Sequence, residues 1–167
     1  MSEGKPPVAD MSLADLLSAL DRRQVTAAAL CETVLGRIDR DPGEIGALSD
    51  VLRDRARKDA QTADRARHAG ARQGVLAGIP VVIKDLIDVE GAFSGAGLDM
   101  LSTYAAPKDA EVVRRLRAEG AIVVGMGRTD SGAFGVRTPD VVNPADPTRT
   151  AGGSSGGAAV SVAAGYV

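Results

Sequence analysis

The chain has 167 residues, enough for one domain with a real core. Its net charge is -2, and it holds two Phe, two Tyr and no Trp, so it offers neither a field that draws nucleic acid or an anionic membrane nor a set of rings for stacking bases. The single cysteine, Cys31, excludes an intrachain disulfide. With no bilayer-spanning apolar run and no apolar signal-peptide core in residues 1–10, the cytoplasm is the expected location.

Residues 1–10, with Gly4, Pro6 and Pro7, predict a loose lead-in to a single domain over 1–167. Ser12 is placed to cap a first helix, with Asp15 three residues on and Leu13, Leu16, Leu17 and Leu20 on one face. Thr26 is placed to cap a second helix, whose apolar side carries Leu30, Val34 and Ile38, and Asp41-Pro42-Gly43 ends it. A third helix is predicted from about Ser49 to Ala69, with Leu52, Ala56, Ala60, Ala63 and Ala66 inward and Gly70 as its stop. The alternating charges from Arg53 to Arg67 read as its solvated face.

The pattern then changes. Gly78 to Ile83 is short, apolar and β-branched, which predicts a buried strand. Gly91 to Gly97 reads as loop, and Asp109 as the cap of a helix carrying Val112, Val113 and Leu116 and ending at Gly120. Ala121 to Val124 predicts a second buried strand, so strand, helix and strand suggest a parallel βαβ unit. From Gly125 to Thr150 the chain reads as loop and turns. A glycine-serine run from Gly152 to Gly157 then opens a small-residue helix, Ala158 to Ala164.

Two segments carry candidate chemistry. Lysine is scarce (Lys5, Lys58, Lys84 and Lys108), and Lys84 directly follows the apolar strand. Burial disfavours a lysine's charged form, and a neutral amine serves as a general base. The alternative is a lysine that snorkels to water or pairs with Asp85 or Asp88. In the glycine-serine run, glycines permit backbone conformations closed to other residues, and the following helix start offers free N–H groups. That suits an oxyanion or a constrained serine, and the alternative is a linker or a tight turn.

Other motifs fail on inspection. Gly153-Ser154-Ser155-Gly156-Gly157 fits G-x-S-x-G, but that chemistry needs a histidine downstream, and the only one, His68, lies upstream. Ser2-Glu3-Gly4-Lys5 matches S-x-x-K in the lead-in and is treated as chance. A phosphate loop would need Lys where Ala158 stands, and the third glycine of a dinucleotide fingerprint is replaced by Asp130. One His and one Cys fall short of the four Cys or His ligands of a usual structural zinc site. What remains is serine–lysine chemistry that only tertiary folding can assemble.

Taken together, Gly78-Ile79-Pro80-Val81-Val82-Ile83-Lys84-Asp85 and the run from Asp146 to Gly157 resemble two motifs of the amidase-signature family, G-I-P-x-x-x-K-D and D-P-x-R-T-x-G-G-S-S-G-G. Gly120 to Asp130 is similar to the family's intervening segment. The resemblance implies an α/β amidase-signature fold, with a mixed sheet core flanked by helices, truncated before its C-terminal half. It implies hydrolysis of carboxylic amides through a Ser–cis-Ser–Lys triad, with no metal or organic cofactor. Lys84 would be the base, and Ser154, after a cis Gly153–Ser154 bond, the bridging serine. Ser155, Gly152 and Gly153 would support the relay or the oxyanion. The nucleophile belongs to a later G-T-D-x-G-G-S segment, so residues 1–167 alone are expected to be inactive. The partner expected is a small-molecule amide, with no nucleic acid and no membrane. The rival reading is a non-catalytic subunit or split half pairing with a second polypeptide, a degenerate binding module, or an amidotransferase-type subunit, and a second polypeptide or a homo-oligomer is the macromolecular partner it allows. Arg128-Thr129-Asp130 replaces the family's frequent Lys-Thr-Asn, and Ala133 replaces a frequent acidic residue before Phe134.

Overall fold

The structure is a computed structural model that describes residues 11–41 and 43–167. The lead-in, its S-x-x-K match and Pro42 lie outside the described residues. Helix α1 spans Leu13–Asp21, and Ser12 Oγ accepts from Asp15 N at 3.2 Å and donates to Asp15 Oδ2 at 2.6 Å. Helix α2 spans Ala27–Arg40, and Thr26 Oγ1 accepts from Ala29 N at 3.0 Å. Both caps stand where the sequence places them, and Leu30, Val34 and Ile38 are buried.

The third predicted helix starts late. Leu48–Val51 is strand β1, and helix α3 runs Arg53–His68. Leu52 N donates to Val124 O at 2.9 Å, so sheet pairing claims the backbone that local composition assigned to helix. Strand β2 is Pro80–Lys84, helix α4 is Glu111–Ala118, strand β3 is Ile122–Gly127 and helix α5 is Gly156–Ala163. The sheet order is β1-β3-β2, with β2 parallel and β1 antiparallel to β3. The expected parallel βαβ unit is therefore β2-α4-β3, with an antiparallel edge strand added.

Strand β3 is buried throughout and divides two apolar clusters. Ile122 and Val124 join Leu20, Leu30, Val34 and Val160 on one face, with Ala56 and Ala60 of α3 packed closely. Val123 and Met126 join Ile83, Val89 and Val113 on the other. One strand thus serves two layers, and the irregular register at Val81–Val82, which pair with Val123 and Gly125, sets Met126 with Val123 rather than with Val124.

Two sequence expectations about charge need correction. Asp109 does not cap α4: Ala110 holds the cap position, and the Asp109 carboxylate accepts from Glu90 N at 2.8 Å and pairs with Arg117 at 3.0 Å. Val112 is largely exposed, and only Val113 of its pair is buried. Nor is the α3 charge run merely a solvated face. Asp64 accepts from Ala27 N and Ala28 N at 2.8 and 3.0 Å, and Asp59 meets Arg117 at 2.8 Å. Arg57 forks onto Glu32, and Arg67 holds Asp21 and the Ala77 carbonyl. These bonds tie α3 to α1, α2 and α4. Among the described residues no helix is long and apolar enough to cross a membrane.

Candidate active site

Lys84 is the last residue of β2 and stands opposite Gly127 of β3 in the parallel register. Asp85 N donates to Gly127 O at 2.8 Å, which extends the ladder past the lysine. The apolar residues before Lys84 anchor the strand, Ile83 being buried, while Lys84 itself is half-buried. Its Nζ donates to Ser154 Oγ at 2.6 Å, across 70 positions of sequence. Asp85 accepts from Gly95 N at 2.7 Å instead, and among the described residues no carboxylate pairs with Lys84.

The serine is presented by the glycine-serine segment. The Gly153–Ser154 peptide bond is cis, and Gly152 has φ +82°. A Cβ on Gly153 would stand 2.4 Å from Arg137 N, so only glycine lets residues 136–138 lie flush on this turn. Thr138 stitches the two segments together. Its N–H donates to Gly152 O at 2.9 Å, and its Oγ1 accepts from Gly156 N at 3.0 Å and donates to Ser154 O at 3.3 Å. Thr129 Oγ1 donates to the same Ser154 carbonyl at 2.7 Å. Gly157 N donates to Arg128 O at 3.0 Å, which seats α5 on the end of β3.

Ser155 stands at the N-cap position of α5 and is exposed, with its hydroxyl hydrogen-bonded to neither Lys84 nor Ser154. The fold therefore brings Lys84 and Ser154 together and leaves Ser155 outside their contact. Sequence reasoning missed the two threonines as neighbours of the serine. Thr129 had a weak signal, since it lies in the segment similar to the family's middle motif. Thr138 had none. Among the described residues no group of three or more His, Cys, Asp or Glu is placed to hold a metal ion.

The arrangement is an amine and a hydroxyl in proton-sharing contact at a strand end, beside a glycine-lined turn. The model of the Amidase family matches residues 29–167. The chain belongs to the Amidase family. It is 38% identical to one subunit of the glutamyl-tRNA(Gln) amidotransferase of Anaeromyxobacter dehalogenans, over 100% of the chain and 35% of that relative. Among solved structures, a peptide amidase from Stenotrophomonas maltophilia superposes with TM-score 0.88 at 32% identity, over 96% of the chain and 35% of the peptide amidase. A bacterial aryl acylamidase of the amidase-signature enzymes gives TM-score 0.90 at 26% identity, over 96% and 35%. The chain thus spans about a third of the length of the relatives it matches.

Where this amidase-family chain departs from the common pattern, the structure gives the departures local work. Arg128 donates from Nε to Gly46 O at 3.0 Å and from Nη2 to Leu48 O at 3.3 Å, fastening the lead into β1. Asp130 accepts from Gly135 N and closes the turn that carries Ala133 and the exposed Phe134. Both side chains line a cavity of about 420 Å³, with Asp85, Gly95 and Thr129.

Proposed function

We propose that the chain carries the base and the bridging serine of an amide hydrolase that works through a Ser–cis-Ser–Lys relay. The observation that carries this reading is the 2.6 Å contact between Lys84 Nζ and Ser154 Oγ, free of any carboxylate partner on the lysine among the described residues. In the relay, unprotonated Lys84 draws the Ser154 proton while Ser154 takes the proton of an attacking serine hydroxyl. That hydroxyl oxygen adds to the amide carbon. The relay then runs backward, Lys84 to Ser154 to the leaving nitrogen, as the C–N bond breaks. Water hydrolyses the acyl-serine by the same route. Among the described residues Lys84 is the only side chain hydrogen-bonded to Ser154 Oγ, so the attacking serine is assigned outside them. The substrate class is a small carboxylic amide, and no cofactor is called on.

The test is hydrolysis of a simple aryl amide by the full product of the gene that encodes residues 1–167. Lys84→Ala and Ser154→Ala should each lower kcat by about 10²–10⁴-fold, the usual worth of positioned acid–base groups. Near-native turnover in either variant would remove the basis of the reading.

A second reading is an amidotransferase-type component that works with a second polypeptide. The 38% identity to one subunit of such an enzyme, over the whole chain, favours it. Turnover that appears only when a partner chain is added would select it over a free-standing hydrolase.

A further inference from the structure

Ser154 is held by more than its neighbours in sequence. Its carbonyl oxygen receives two side-chain hydroxyls, Thr129 Oγ1 at 2.7 Å and Thr138 Oγ1 at 3.3 Å. Both threonines are buried, at 4% and 2% exposure. Bonds in such a dry setting are not traded readily for water. The hydroxyl of Thr138 is also directed: its oxygen already accepts from Gly156 N, which leaves its hydrogen for Ser154 O. Thr129 has a second acceptor in Asp130 Oδ1, but at 3.5 Å against 2.7 Å for Ser154 O the serine carbonyl takes the hydrogen.

We propose that Thr129 and Thr138 form a clamp on the Ser154 carbonyl that fixes the Ser154 hydroxyl against Lys84; they are positioning residues for the relay, and the proposal rests on the relay reading above. The geometry argues for this over simple packing. Pinning the carbonyl fixes the peptide plane that follows Ser154, and the hydroxyl is then one side-chain torsion from its partner. Thr129 follows Gly127 by two residues, and Gly127 is the residue that faces Lys84 across the ladder. Lys84 and Thr129 therefore hang from one strand register, so Thr129 ties the Ser154 loop to the sheet that carries the lysine, while Thr138 braces the same loop from the segment packed on Gly153. A valine at either position would fill nearly the same volume, so packing alone does not call for the hydroxyls.

The experiment has two readouts. In the full gene product, steady-state kinetics on an aryl amide compare wild type with Thr129→Val, Thr129→Ser and the double variant Thr129→Val/Thr138→Val. Thr129→Val should lower kcat, by up to about 10²-fold for a displacement near 1 Å, with KM little changed, and Thr129→Ser should restore most of the loss. In the 167-residue chain, trace acetylation of the lysines with acetic anhydride across pH is read by peptide mass spectrometry. The exposed Lys58 and Lys108 serve as internal standards. Ser154→Ala shows how Lys84 labels once its partner is gone. Thr129→Val should shift the Lys84 profile toward that of Ser154→Ala, while Thr129→Ser keeps the wild-type profile. If Thr129→Val labels and turns over like wild type while Ser154→Ala does not, the clamp is overturned and the relay stands. If Ser154→Ala itself leaves Lys84 labelling and turnover unchanged, relay and clamp fall together. A loss shared by Thr129→Val and Thr129→Ser in proportion to lost stability would make the threonines structural and overturn the clamp.

Discussion

Replacing Gly157 by alanine tests whether the seat of α5 on β3 is as tight as the structure shows. In an unconstrained helix Gly→Ala stabilises by about 0.8–1 kcal/mol. Gly157 is buried in the first turn of α5, and a Cβ there would stand 2.3 Å from Ala47 O and 2.3 Å from Arg128 N. Both are backbone atoms, so no side-chain rotation relieves the contact. Carbon needs about 3.5 Å from such neighbours, so the helix start must withdraw by roughly 1 Å. That withdrawal breaks the Gly157 N to Arg128 O bond and disturbs the Arg128 N to Ala47 O bond beneath it. Overpacking costs about 1–3 kcal/mol and a lost buried backbone bond about 1–3 kcal/mol. Set against the helical gain, the net is a loss of roughly 1–5 kcal/mol, or about 2–20 °C in Tm for a chain of this size. Gly36, inside α2, is the control: its nearest neighbour to a new Cβ is Arg40 Nη1 at 3.9 Å. Gly36→Ala should therefore raise stability by about 0.5–1 kcal/mol. The assay is urea titration followed by far-ultraviolet circular dichroism. A Gly157→Ala chain as stable as wild type would show that α5 does not rest on the backbone of residues 47 and 128, and the placement of Ser154 would lose its support.

Further outcomes follow from the clasps and the titrating groups. Asp64→Ala leaves Ala27 N and Ala28 N at the start of α2 to find water, and should cost about 1–2 kcal/mol in the same titration, with Asp64→Asn recovering part of it. Burial, reinforced by Glu32, pushes the Cys31 thiol up to about 11 from 9.0. The unfolded chain therefore releases that proton first, so stability is full below about pH 9 and falls as pH rises toward 11, by on the order of 2–3 kcal/mol. Cys31→Ala should flatten that alkaline decline in a series of melts. Hydrogen bonds from Arg114 and then Arg115 hold Glu111 down to about 2 from 4.5. Its contribution is present above the ordinary value and is lost as pH falls toward 2. Carboxyl carbon NMR should place its midpoint there, and Arg114→Ala should move it upward.

What the sequence made legible were features whose cause is local. The β-branched run before Lys84 and the run after Gly120 are apolar enough to require burial, and they form β2 and β3. Ser12 and Thr26 cap helices because a side chain meets an N–H three residues away. The candidate pair was found because a rare lysine and a glycine-serine run recur together in one family. Hidden features depend on partners distant in sequence. Leu48–Val51 has four residues and joins the sheet only because β3 offers an open edge. Asp64 reads as surface charge until its partners, 37 and 36 positions away, are in place. Asp109 looks like a helix cap, but Arg117 and the backbone of Glu90 compete for the same carboxylate and win.

The end of β3 explains how so dispersed a site is assembled. Gly127 O receives Asp85 N, just past the lysine. Arg128 binds Ala47 through its N–H and Gly157 through its carbonyl. Thr129 reaches the Ser154 carbonyl with its hydroxyl. Three consecutive residues thus fasten the lysine strand, the lead into β1, the helix after the serines and the serine itself. In sequence these segments are spread from Ala47 to Ala163, so chain connectivity alone does not set the distances among them. The buried end of β3 and the two residues after it are their common reference for distance. That is why the residues at greatest risk from small substitutions are the glycines on this span and opposite it. A Cβ on Gly127 would press Ala158 N at 3.1 Å, and one on Gly125 would meet Asp50 O at 2.7 Å. The requirement for bare backbone at these points comes from the closeness of the four segments, so the glycines are as much a part of the site's geometry as the amine and the hydroxyl they bring together.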